Sequence, residues 1–535
     1  EERPPPSRES TFTGRVWRLR EAVQTERPSV CAERALLVTD YFQRGRGRGK
    51  PVVVQKAEAL RHVLREKKAL VYPDELLVGS FTSKRVGGSV LPELHGVAML
   101  EDLLSFERRE LNPLCIGEAE RLALATKVMP FWATRFLAIK AFSPLRALRF
   151  VAGQLRMEEH VINETGGVAH FVPDYEGLVR KGTEGIAAEA RERAKEAPDA
   201  DRRAFYEAVQ IVCLGLEDLA SAHAVAAKEL AEGEADPARR QELLEIARIC
   251  EAVPRRPAET TREALQALLF AQIALNLESL DNGVCPGRLD LILEPYWRDD
   301  VKAGRLSPEG LRELVGCFTV KMSEIVPVFS SRITKVHGGL FNGQTVVVGG
   351  VDRDGKDITN ELTWAFLDAM DELRMRQPNY HARIHPGSPP EYVARIAAML
   401  RDGSGAPSVV NDAVVVPMLE SRGMTRPDAR DYSPVGCVEP VACGATFGST
   451  DAALFNTALC LERALGTKRG GAQTPGVEGC ATMEEVLFVL RREVETLVSN
   501  LVDDLQAIER ANARHHPTPL TSLLLRGCME SGRDA

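Results

Sequence analysis

Residues Ser433–Asn456 read SPVGCVEPVACGATFGSTDAALFN. Gly436 precedes Cys437, and Pro440 follows Glu439. Gly and Pro at those positions fit a tight, non-helical turn. With Cys437–Val438–Glu439 extended, side chains at i and i+2 point to the same side. Thiol and carboxylate then face one reactant together. That suits a sulfur that attacks or abstracts beside a carboxylate that moves a proton. A C-x-E triplet also arises by chance in loops, so its weight comes from what surrounds it.

Upstream of this stretch, from about residue 340, short apolar runs alternate with helical ones. Thr345–Gly350 (TVVVGG) is a buried-strand run ending in glycines. Thr359 and Asn360 offer cap chemistry before a helix carrying Phe366, Met370 and Leu373. Tyr380–His385 and Ser408–Asn411 read as strands, each followed by a helix, Pro390–Arg401 and then Val415–Glu420. Beyond Ser433–Val438 the helical texture resumes at Asp451–Leu465. Strand-then-helix alternation predicts an α/β architecture with parallel strands.

Nearer the N-terminus the chain reads as helices. Val16, Leu19 and Val23 share one face, as do Leu60, Val63 and Leu64. Residues 180–250 spell long surface helices broken at Pro198 and Pro237. Arg44–Lys50 (RGRGRGK) is Gly-rich and basic, but Pro51 stands where a phosphate-binding loop needs Ser or Thr. It reads as a solvated loop, and so does the Gly-rich 468–479.

The 535 residues correspond to three or four domains at about 150 residues each. No internal repeat or long linker divides them, so residues 1–535 read as one unit. The composition, 44% hydrophobic and 27% charged, is that of an ordinary globular chain. A net charge of −8 argues against nucleic acid or an anionic membrane as partner. No apolar run reaches about 18 residues, the best being near Ala267–Leu277. Glu1–Ser10 is polar, without a signal-peptide core. The eleven cysteines form no C-x-x-C and no zinc-finger spacing, which suits a reducing cytoplasm.

The longer pattern resembles the glycyl radical enzymes, the pyruvate formate-lyase-like family. The likeness runs from about residue 15 to 535. It is carried by Tyr72–Gly79 (YPDELLVG), His170–Glu176 (HFVPDYE), Glu278–Asp290 (ESLDNGVCPGRLD) and Val347–Leu362 (VVGGVDRDGKDITNEL). Gln377–His385 (QPNYHARIH), Gly405–Val414 (GAPSVVNDAV) and Gly436–Pro440 (GCVEP) continue it in order. The resemblance implies a ten-stranded α/β barrel of two five-stranded parallel half-sheets set antiparallel, wrapped in helices. It implies Cys437 as the catalytic thiyl residue, fed by a backbone glycyl radical in a C-terminal domain. A radical-SAM activating enzyme with its iron–sulfur cluster is the implied partner, with no cofactor or metal bound in this chain. An anaerobic cytoplasm is the implied setting, and homodimers are common in the family. A closed barrel suits such chemistry because it keeps water and oxygen from the sulfur.

Within the family the GCVEP form is similar to the branch of dehydratases, C–N and C–S lyases and arylacetate decarboxylases. There the glutamate, Glu439 here, acts as general acid or base. The expected function is a thiyl-initiated lyase, a decarboxylase or dehydratase of a small carboxylic acid or alcohol. Asp451 matches an aspartate that diol dehydratases use on a hydroxyl. In Glu278–Asp290 those enzymes resemble ESNGHSISPGRFD, whereas this chain has Asn282 and Gly283 at the His-Ser pair. A vicinal diol then loses its hydrogen-bonding pair, and the bulk removed at Gly283 leaves room for a larger or flatter substrate, an aryl or cyclic carboxylic acid. His170 is a further substrate-side candidate. His381, Arg383 and His385 share a strand face, where Arg383 is placed to hold a substrate carboxylate. His337 has no assigned role, and His515 and His516 read as surface residues.

Two other readings stand beside this one. Formate C-acetyltransferase activity requires a second thiol next to Cys437, and Gly436 occupies that place. An inactive fragment or paralogue is the other. The family's C-terminal loop resembles R-V-x-G-[YF], and none is present in the sequence, so the chain is expected to be truncated before the glycyl radical domain.

Overall fold

The computed structural model describes residues 10–535 except 96–97, 157, 162–169, 280–282, 332, 336–337, 404, 449–451, 467–476 and 478. Helix Gly14–Thr25 buries Val16, Leu19 and Val23, and helix Val52–Glu66 buries Leu60, Val63 and Leu64, as their spacing predicts. The basic stretch Arg44–Lys50 between them is an exposed turn, with Gly45, Gly47 and Gly49 at positive φ.

Helices Tyr175–Glu196, Ala200–Gly233 and Pro237–Ala252 break at Pro198 and Pro237. Asp199 and Asp236 cap the second and third by accepting backbone N–H groups. The middle helix is not the surface helix its composition suggested. It buries Phe205, Val209, Val212, Leu216 and Leu219. Its small residues let it press on helix Val52–Glu66, where a Cβ on Gly215 would lie 3.2 Å from the Arg61 Cα. Helix Thr261–Glu278 is buried along almost its whole length, which is why Ala267–Leu277 is apolar on every side. Glu118–Ala141 and Ala200–Gly233 are long and apolar enough to cross a membrane, and the most apolar window of the second is 56% buried inside the fold.

The strands are β1 Ser29–Cys31, β2 Gly87–Ser89, β3 Glu159–Val161, β4 Ile325–Val326, β5 Thr345–Gly349, β6 Asn379–Ile384, β7 Ser408–Asn411, β8 Tyr432–Val435, β9 Glu439–Ala442 and β10 Ala453–Phe455. β1, β2 and β4 form one parallel sheet, and β5, β6 and β7 another. β8–β9 is an antiparallel hairpin, and β3 pairs antiparallel with β10. Single parallel bridges carry the second sheet on from Val346 to Gly287, and link Val284 to Phe171. The expected α/β class and parallel strands are present. The expected pair of five-stranded half-sheets is not what these pairings form among the described residues: two three-stranded parallel sheets stand with two antiparallel pairs.

The α/β alternation from 340 onward follows the sequence closely. Asn360, not Thr359, caps helix Glu361–Asp368, in a capping box closed by Thr363. The helix continues through a π turn at Ala369–Leu373. Helix Pro390–Arg401 has the expected bounds. The helix expected at 451–465 is shorter, Thr457–Ala464, because β10 takes the residues before it. Most of the 468–479 loop, and His337, lie outside the described residues.

Candidate active site

Cys437 stands at the tip of the β8–β9 hairpin. β8 is buried at all four residues, so the hairpin is anchored at its base. Residues 436–438 form the turn. The expected extended Cys437–Val438–Glu439 is therefore replaced by a tighter arrangement. Glu439 folds back over the turn, and its Oε2 accepts from the N–H of Cys437 at 3.2 Å and of Val438 at 2.9 Å. Thiol-bearing residue and carboxylate are still brought together, by the turn and not by strand alternation. Of the eleven cysteines Cys437 alone is exposed. The others include buried thiols such as Cys213, Cys250 and Cys317, whose pKa values burial raises.

Strand β6 holds the hairpin with one face. Asn379 Nδ2 donates to the Gly436 carbonyl at 2.9 Å. His381 lies against the Cys437 backbone. Arg383 Nη1 donates to the Tyr432 carbonyl at 2.9 Å. Asn379, His381 and Arg383 alternate along the strand and so share this face; of the three residues expected to share one, His381 and Arg383 do. Thr345 Oγ1 on β5 adds a second bond to the Gly436 carbonyl, at 3.2 Å. Burial pushes the His381 imidazole down to about 4, against the opposing pull of the Cys437 backbone and the Glu439 carboxylate. The ring is neutral at pH 7.

Arg383 is not placed as a carboxylate clamp for substrate. It is fully buried, and its Nε and Nη2 each donate to Asp412 at 2.9 Å. Nη2 also reaches the Arg430 carbonyl, and the guanidinium lies 4.0 Å from the centroid of the Tyr432 ring. Its donors are spent on the protein. His385 leaves the shared face and pairs with Asp357 at 2.9 Å.

Under the turn, three glycines meet. A Cβ on Gly283 would lie 3.3 Å from both the Gly436 Cα and His170 Cδ2, and one on Gly343 would lie 2.9 Å from the Gly436 Cα. The expected room beside Gly283 for a bulkier substrate is thus taken up by the hairpin backbone and the His170 ring. His170 is buried at φ +64 against Gly436, so the structure brings it to the Cys437 turn. Asn282 and Asp451 lie outside the described residues. Asn379, Thr345 and Gly343 were not singled out from sequence. Gly343, two residues before the TVVV run, was the available signal. His515 is half-buried, and His516 is buried and not at the surface. Among the described residues no group of three or more His, Cys, Asp or Glu side chains is arranged to hold a metal.

The chain is similar to isethionate sulfite-lyase of Desulfovibrio desulfuricans, 30% identical over 96% of this chain and 65% of that protein. It is similar to (2S)-3-sulfopropanediol dehydratase of Klebsiella oxytoca, 28% identical over 97% of this chain and 65% of that one. It thus spans about 65% of the length of these curated relatives. A solved structure described as "1,2-propanediol Dehydration in Roseburia inulinivorans" superposes with a TM-score of 0.93 at 31% identity, covering 99% of this chain and 67% of that one. The pyruvate formate lyase-like family model matches residues 8–535. With the Cys437–Glu439 hairpin packed on a parallel sheet and likeness of this extent, the chain belongs to the pyruvate formate lyase-like family of glycyl radical enzymes.

Proposed function

We propose that this chain carries the substrate side of a glycyl radical lyase that eliminates a leaving group from a small hydroxylated substrate. The observation that carries the reading is the Cys437–Glu439 turn. The one exposed thiol of the chain sits beside a carboxylate held to the same backbone. In this family a protein-backbone glycyl radical, installed by a radical-SAM activating enzyme, supplies removal of the hydrogen atom from Cys437 Sγ. Exposure of Cys437 fits that role, because a buried side chain would be closed to a hydrogen-atom acceptor.

The remaining steps fall to this chain's residues. Cys437 Sγ takes a hydrogen atom from a substrate carbon, forming S–H and breaking C–H. Glu439 accepts the proton of the neighbouring hydroxyl or delivers one to the leaving group as the C–O or C–S bond breaks. Cys437 S–H then returns a hydrogen atom to the product carbon, and the sulfur is regenerated. The glycine packing at Gly283, Gly343 and Gly436 fixes the height of the turn, and the neutral His381 beside it adds no charge.

Elimination is favoured over decarboxylation by the activities named for the relatives, a sulfite-lyase and dehydratases. Spent on Asp412, Arg383 also offers no carboxylate clamp. Acyl transfer is disfavoured because Gly436 precedes Cys437, while Cys443 is half-buried at the base of the hairpin, where its N–H donates to the Asp431 carbonyl. The test is anaerobic activation of the natural protein, then assay on isethionate, 1,2-propanediol, trans-4-hydroxyproline and an arylacetate. Release of sulfite or water supports the reading. Release of carbon dioxide from the arylacetate alone overturns it.

A further inference from the structure

Away from the hairpin, a cavity of about 570 Å3 opens in the helical shell, lined by no residue of the Cys437 site. Such a volume suits a small organic ligand. Its lining includes five cations, Arg46, Arg48, Lys56, Arg135 and Lys140. Among the described residues none of the five pairs with a carboxylate. Arg46 faces the His62 ring, Arg135 donates to the Phe131 carbonyl and lies over the Phe131 ring, and Lys56 donates to His516. Their neighbours Arg44 and Lys50, which do not line the cavity, are paired with Asp40 and Glu58. The contrast matters because these five cations, without a carboxylate partner, line one space.

The floor carries a second, independent observation. His516 is only 5% exposed, and its Nε2 is buried without a hydrogen-bond partner. Its Nδ1 accepts from Lys56 Nζ at 2.7 Å. An ammonium has no lone pair to accept with, so the neutral ring carries its proton on Nε2. Burial and the adjacent Lys56 hold His516 well below the ordinary histidine range, which keeps it neutral. That leaves a donor unsatisfied by the protein within a residue that lines the cavity. The one carboxylate of the lining, Glu93, is bound by both Nη atoms of Arg34. Phe42, Phe131 and Trp132 supply an apolar wall.

We propose that this cavity binds a phosphorylated small molecule bearing a flat ring, of the nucleoside diphosphate class. Multiple cations in fork and point geometry match phosphate oxygens. The aromatic wall takes the ring. The proposal is independent of the lyase reading, since it shares no residue with the Cys437 turn.

The test is calorimetric titration of the protein with ADP, inorganic pyrophosphate and adenosine, repeated on Arg135→Glu/Lys140→Glu and on Lys56→Met. The two rim positions are exposed, so the double variant is expected to keep its fold even where Lys56→Met does not. ADP is expected to bind, more tightly than pyrophosphate or adenosine, and to weaken at least about tenfold in the rim variant. Absence of ADP binding overturns the proposal, as does ADP binding unchanged in the rim variant. Pyrophosphate binding as tightly as ADP overturns the ring-bearing class. Binding of an acidic peptide, poly-glutamate, in place of ADP assigns the surface to a protein partner and overturns it too.

Discussion

The imidazole of His170 occupies the place that a side chain on Gly436 would need. A Cβ built on Gly436 would lie 2.2 Å from ring atoms of His170, and the backbone there has φ +53. Two penalties therefore meet at one residue. The left-handed backbone costs a non-glycine about 1–2 kcal/mol, and the clash adds to it. Gly436→Ala is expected to lower Tm and to displace Cys437, with turnover lost well beyond the loss of stability. The double variant His170→Ala/Gly436→Ala removes the clash and is expected to regain part of the melting temperature. No regain would mean that the ring does not set the turn.

Arg383 and Asp412 form a fully buried bidentate pair at the base of the hairpin. Removing one partner strands the other charge in the interior. Arg383→Ala is expected to destabilise by about 3–5 kcal/mol, read by denaturant unfolding. A loss of substrate affinity with stability unchanged would restore the carboxylate-clamp role expected from sequence.

Glu278 ends the central helix and holds the backbone N–H groups of Leu520 and Thr521 at 2.7 Å each. Burial raises its pKa to about 7, against the opposing hydrogen bonds. A carboxyl whose folded pKa exceeds its unfolded value binds protons more tightly in the native state. Its ionisation therefore costs stability as pH rises from about 4.5 to about 7. Glu278→Gln removes that titration and keeps one acceptor. The stability of the wild type relative to this variant is expected to fall across that window. A difference independent of pH would contradict the assignment.

Much of this was legible because periodicity and punctuation are local. The strand at Thr345, the cap at Asn360 and the helix Pro390–Arg401 follow from residues within one or two turns. What the sequence could not carry was partnership across the chain. Arg383 looks the same whether it faces a ligand or Asp412, and only the fold brings Asp412 beside it. Gly283 looked like vacated space, yet its missing side chain lets the Gly436 backbone approach. The Cys437–Glu439 pairing was foreseen with the wrong backbone, since Glu439 reaches the turn by folding back onto two N–H groups.

The central claim is that Cys437 carries the hydrogen atom and Glu439 the proton. Glu439→Gln keeps an oxygen for the N–H groups of Cys437 and Val438, so the turn is expected to survive with turnover reduced by about 100-fold or more.

The most direct measurement is turnover by the activated natural protein carrying Cys437→Ala, alongside its melting temperature. The account predicts no detectable product at an unchanged melting temperature. Turnover within a few-fold of wild type would contradict it.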